Sequence, residues 1–107
     1  MITTDFNSTT GVLTLYLHGD LLSSNGKKAV QAFETALSFA PRYKALWIDC
    51  SASRMIDSVG LNILFNVLSH AKEQLAEPKI IITAGSLERI LQAAQITKMF
   101  PVEVRGK

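Results

Sequence analysis

The residues best suited to chemistry stand together in the segment Arg54-Met55-Ile56-Asp57-Ser58-Val59-Gly60. A carboxylate precedes a hydroxyl, and an apolar run with helical spacing follows both. Asp57 or Ser58 can cap that helix, because either side-chain oxygen accepts from a free N–H of the first turn. A capped helix start is a complete reading of these residues. A second reading uses the same geometry. A serine at a helix N-terminus lies at the positive end of the helix dipole. A phosphate on Ser58 would be stabilised there without unfolding the helix, and it would add about −1.5 to −2 charges at neutral pH. Val59 has no hydroxyl, so on this second reading Ser58 is expected to be the position modified rather than its neighbour. Gly60 lacks a side chain and is expected to let a partner's backbone approach the serine.

Other chemistries find less support. Asp57-Ser58-Val59-Gly60 is not a G-x-S-x-G nucleophile turn. His70 is about three helical turns beyond Ser58, too far to activate it. His18 is a lone histidine, expected at an edge or facing outward, with no constellation around it to hold a metal. No glycine-rich phosphate loop is present, so the chain is not expected to bind ATP by itself. Cys50 is the only cysteine, which excludes an intrachain disulfide. Its place at the end of an apolar strand predicts a buried, inert thiol. The expectation is a non-enzyme with neither cofactor nor metal.

These residues need elements to position them. Leu13, Leu15 and Leu17 alternate with Thr14, Tyr16 and His18. Together with the preceding Thr-Thr-Asp-Phe and the turn at Gly11, they predict a hairpin. A helix follows, with Ser23, Ser24 or Asn25 as cap and Val30, Phe33, Leu37 and Ala40 as its core stripe. Lys44 to Cys50 reads as a central buried strand, and the run after Pro78 as another. Between them a helix is predicted from near Ser58 to near Glu77. Its spacing puts Leu61, Leu64, Phe65, Leu68 and Leu75 toward the core, with Val59 and Ile63 nearly opposite beside Asn62 and Asn66. That outer face is the expected docking surface. A third helix with Ser86 as N-cap and a last short strand in Met99 to Val104 complete the order β-β-α-β-α-β-α-β. Strands alternating with helices favour parallel pairs joined by crossover helices.

The chain has 107 residues, 48% of them hydrophobic, and a net charge of +2. That suits one domain with one core. The charges are mixed, which argues against nucleic acid as a partner. Neither a signal peptide nor an apolar run of about 20 residues is evident, so a cytoplasmic protein without membrane insertion is expected.

Three segments carry a resemblance. One is the strand ending in Asp49, a short loop, and Ile56-Asp57-Ser58-Val59-Gly60-Leu61 opening a helix. The second is Leu15 to Leu21, an apolar strand running into Gly-acidic-Leu. The third is Ser86 to Val102. In order and spacing the chain resembles a STAS domain of the bacterial anti-sigma factor antagonist type, over residues 1–107. The resemblance implies an α/β single domain with a mixed, mostly parallel sheet. It also implies a partner-switching regulator of transcription. Such proteins bind an anti-sigma factor serine kinase when unphosphorylated and release it when phosphorylated, and a PP2C-type phosphatase resets them. Carried over, Ser58 is the phosphoacceptor, with Asp57, Val59, Gly60, Asn62, Ile63 and Asn66 in the partner-binding surface. Three positions depart from the pattern: Val59 where Ser or Thr is common, Leu22 where Asp often follows, and Gln95 where glycine is usual. Stand-alone STAS domains also serve as regulatory subunits of bacterial lipid-transport ABC complexes. That is the alternative the resemblance leaves open.

Overall fold

Asn7 starts the fold by closing the first turn. Its Oδ1 accepts from the N–H groups of Thr9 (3.0 Å) and Thr10 (3.2 Å), and Gly11 completes the reversal at φ +75°. The computed structural model describes residues 1–106. The turn joins β1 (Ile2–Asn7) to β2 (Val12–Leu17). A 3-10 turn at Ser23–Asn25 leads into α1 (Gly26–Ser38), and then follow β3 (Ala45–Asp49), α2 (Ser58–Glu73), β4 (Glu77–Thr83), α3 (Ser86–Ala93), α4 (Ile96–Met99) and β5 (Val102–Arg105). The order contains the predicted β-β-α-β-α-β-α-β series, with two short helical insertions.

The five strands lie side by side in chain order. β1 is antiparallel to β2, and the other pairs are parallel. Each crossover from β2 onward steps to the next strand in the same direction. Right-handed crossovers of that kind place every helix on one face of the sheet. The side chains agree. Leu13, Leu15, Leu17, Leu46, Ile48, Ile80 and Ile82 form one core cluster with Phe33 of α1, Leu64 and Leu68 of α2, and Leu87 and Leu91 of α3. Each large aliphatic residue fully buried there contributes about 2 kcal/mol.

The alternate strand residues make up the other face. There the Lys79 ammonium lies 3.6 Å from the centre of the Trp47 ring and 2.8 Å from Glu103, and Arg105 reaches Asp49 at 3.8 Å. β3 is central, as predicted, but only one of its faces meets helices. Cys50 is buried, and desolvation, then the Asp49 charge, push its thiol up to about 12. No helix among the described residues is long and apolar enough to cross a membrane.

Several helix ends differ from expectation. None of the three polar residues at 23–25 caps α1 through its side chain. They form the 3-10 turn, and Asn25 folds back to accept from Leu22 N–H at 2.9 Å and to donate to the Asp20 carbonyl at 2.9 Å. α2 stops at Glu73, short of Glu77. Leu75 takes a left-handed conformation, φ +61°. The Leu75 and Ala76 N–H groups then close on the Lys72 and Ala71 carbonyls, the Schellman arrangement. Leu75 is consequently 91% exposed and not a core residue. Ser86 is the first residue of α3 and does not cap it through its side chain.

Candidate functional site: the serine corner of α2

The candidate site lies where the chain leaves the C-terminal ends of β2 and β3. That end of parallel strands is where α/β folds present loops for function. Here the two loops are joined. Leu21 and Ile56 form a parallel bridge beyond the sheet, and both side chains are buried. Leu21 N–H donates to the Met55 carbonyl, and Asp57 N–H donates to the Leu21 carbonyl, each at 3.2 Å. Asp20 Oδ1 accepts from the N–H groups of Arg54 (2.8 Å) and Met55 (3.1 Å). The Ser53 hydroxyl donates to the Gly19 carbonyl at 2.6 Å. A loop that is polar in sequence is therefore held by backbone and carboxylate bonds from the Gly19-Asp20-Leu21 segment.

Asp57 caps α2. Its Oδ1 accepts from Gly60 N–H at 3.0 Å, and its Oδ2 accepts from Ser23 N–H at 2.8 Å. The bond from Gly60, then that from Ser23, hold its carboxyl below the usual range, because both favour the charged form. One carboxylate thus fixes the start of α2 and ties it to the 3-10 turn before α1. Ser58 is the first of the 16 residues of α2, and it is exposed.

The expected surface residues separate into two groups. Ser58, Asn62 and Asn66 are exposed, and Val59 is 41% exposed. Ile63 is not on the outer face. It is 8% exposed, because α1 lies along the flank of α2 and covers it. Ile63 instead floors a groove of 470 Å³ between the helices, with Val30, Phe33, Leu37, Asn66 and His70 around it. A second hollow continues toward the corner past Ser23, Lys27, Val59 and Asn62. Gly60 is also corrected. It is buried, and a Cβ on it would fall on the Leu21 carbonyl oxygen. The backbone that approaches this glycine belongs to its own chain.

Asp20, Asn25 and Ser53 were not singled out from sequence as parts of the site. An acidic residue directly after Gly19, at φ +109°, was the available signal for Asp20. Nothing local marked the other two. His18 is exposed, with Nε2 2.7 Å from Thr3 Oγ1. Among the described residues, no group of three or more His, Cys, Asp or Glu is placed to hold a metal.

With this geometry in view, the comparisons identify the family. The STAS domain family matches residues 3–105. The chain belongs to the STAS family. Its fold matches that of an anti-sigma factor antagonist from Mycobacterium paratuberculosis, with TM-score 0.76 and 24% identity over 96% of this chain and 86% of that one. It also matches a candidate anti-sigma factor antagonist from Thermotoga maritima, with TM-score 0.73 and 16% identity over 95% and 85% of the two chains. A third match is the anti-sigma factor antagonist SpoIIAA in its unphosphorylated form, with TM-score 0.59 and 11% identity over 98% and 87%. The comparison with curated proteins gives no match. At these identities the structural likeness is one of fold. In this STAS domain the serine corner is the start of α2, clamped to the loop after β2.

Proposed function

We propose that this STAS domain is an anti-sigma factor antagonist switched by phosphorylation of Ser58. The observation that carries the reading is the exposed Ser58 hydroxyl at the first position of α2, on a corner held from beneath by Asp57, Gly60 and Leu21. A phosphate there changes the surface and leaves the clamp intact. The helix dipole favours the added charge, and the neighbouring Asp57 carboxylate opposes it. The partner, an anti-sigma factor serine kinase, binds the unphosphorylated form over Ser58, Val59, Asn62 and Asn66, with the groove above Ile63 as the apolar part of the contact. Asp57 and Gly60 act from below by holding the corner in shape. Phosphorylation brings charge into that contact and releases the kinase. A PP2C-type phosphatase restores the hydroxyl.

The test is incubation with the cognate kinase and ATP, followed by mapping of the modification by mass spectrometry. Phosphate on Ser58 is the expected result, and an active kinase that leaves Ser58 bare overturns the switch. Capture of an ABC ATPase in place of the kinase would assign the same surface to transporter regulation.

A further inference from the structure

We propose that this protein self-associates through β1, which pairs antiparallel with β1 of a second copy about a two-fold axis at Thr4, so that the sheets of the two copies become continuous. The two edges of the sheet differ. β5 is a four-residue edge that follows Pro101 and carries Glu103 and Arg105, the kind of charged, short edge that resists pairing. β1 has six residues, Ile-Thr-Thr-Asp-Phe-Asn, with no proline and no lysine.

The hydrogen-bonding phase of β1 is fixed by its inner neighbour. His18 N–H donates to the Met1 carbonyl at 2.7 Å, so Thr3, Asp5 and Asn7 turn their backbone groups inward to Tyr16, Thr14 and Val12. In an antiparallel pair the inward and outward residues alternate. Ile2, Thr4 and Phe6 therefore present their N–H and C=O groups outward. Pairing about Thr4 matches these outward groups with each other. It sets Ile2 against Phe6 of the second copy on the helix-side face and Thr3 against Asp5 on the other. A register centred on Asp5 would place two carboxylates directly opposite, which like charges disfavour.

The layer above the edge is also incomplete. α1 leaves a groove of 750 Å³ over β1, lined by Ile2, Thr4, Phe6, Ala36 and Phe39 among others. Phe39 is 85% exposed beside it. In the paired sheet the grooves of the two copies face each other across the axis, and both Phe39 rings gain apolar cover. A second copy satisfies the strand, the charge pattern and the exposed aromatic together.

Two measurements test this. In sedimentation velocity from micromolar to near-millimolar concentration, the wild-type chain is expected to shift to twice its monomer mass. Thr4→Lys sets two ammonium groups across the axis and is expected to raise the dissociation constant at least tenfold, with circular dichroism unchanged. In the second, mild oxidation should crosslink Thr4→Cys readily and Thr3→Cys poorly, because only Thr4 faces its own copy; Cys50 is buried and does not compete. A wild-type chain that stays monomeric throughout the range overturns the proposal. Crosslinking of Thr3→Cys as fast as Thr4→Cys overturns the register.

Discussion

Gly60 packs directly against the carbonyl of Leu21, and that same carbonyl accepts the Asp57 N–H at 3.2 Å. One backbone oxygen therefore sets both the spacing and the direction of the start of α2. A Cβ on Gly60 would also come within 2.8 Å of Ile56 Cγ2. Gly60→Ala must push the helix off the loop and loosen the Asp57 bond. Overpacking of this kind costs about 1–3 kcal/mol. The denaturant midpoint should fall accordingly, with the slope unchanged. A wild-type midpoint would show that the corner yields more easily than the packing implies.

The Asp57 carboxyl predicts a pH dependence. Its folded pKa lies below the ordinary value because Gly60 and Ser23 N–H groups bind the charged form. The sign follows from linkage: a depressed carboxyl binds fewer protons folded than unfolded, so its contribution is complete above the unfolded pKa and is lost as pH falls through the folded one. Asp57→Asn keeps a capping oxygen for Gly60 but cannot accept from two N–H groups with two oxygens. It should lower the melting temperature by several degrees at neutral pH. The difference from wild type should shrink on acidification. A gap that is constant from neutral pH down through the carboxylate range would contradict the assignment.

Ser58 should be separable from the fold. It is exposed and does not cap the helix; Asp57 does. Ser58→Ala should change stability by no more than about 0.5 kcal/mol, as surface substitutions do. Ser58→Asp should keep the same melting profile and weaken kinase binding roughly tenfold or more, about 1.4 kcal/mol per factor of ten. Equal affinity of wild type and Ser58→Asp in calorimetry would refute the charge-based release.

Two helix ends carry non-glycine residues in the left-handed region: Leu75 at φ +61° after α2 and Gln95 at φ +60° after α3. This conformation costs an L-residue about 1–2 kcal/mol, which glycine avoids in part at the expense of a freer unfolded chain. Leu75→Gly and Gln95→Gly should each stabilise the protein, by about 1 kcal/mol at most. Leu75→Gly also removes an exposed apolar side chain, so it should reduce self-association by nonspecific contact. Thermal denaturation of the single variants decides the sign.

Gln95 shows how far the sequence could be read. It stands where the family pattern usually has glycine, and the structure puts it at a backbone angle that glycine prefers. The strands were legible because Leu13, Leu15 and Leu17 alternate with polar residues, and that alternation reports burial on one face. The end of α2 was not. Apolar spacing runs on to Leu75, and the stop there rests on a left-handed leucine, a signal that looks like another core position. Ile63 was misplaced because periodicity assigns a helix one buried face. α2 has two neighbours, the sheet below and α1 at its flank, so its buried arc is wider than a single stripe.

The sequence by itself determined the order of the five strands and three main helices and put a helix start, with a cap, at Asp57-Ser58, since these depend on residues within a few positions of one another. That Asp57 is the cap and Ser58 the first helical residue was decided by the structure. Tertiary structure alone decided what lies against that corner. Leu21, Asp20 and Ser23 are distant in sequence, and parallel pairing of β2 with β3 brings their loop against Asp57 and Gly60. Local propensity carries no record of that contact, because the register of two parallel strands is set by burial across the whole sheet.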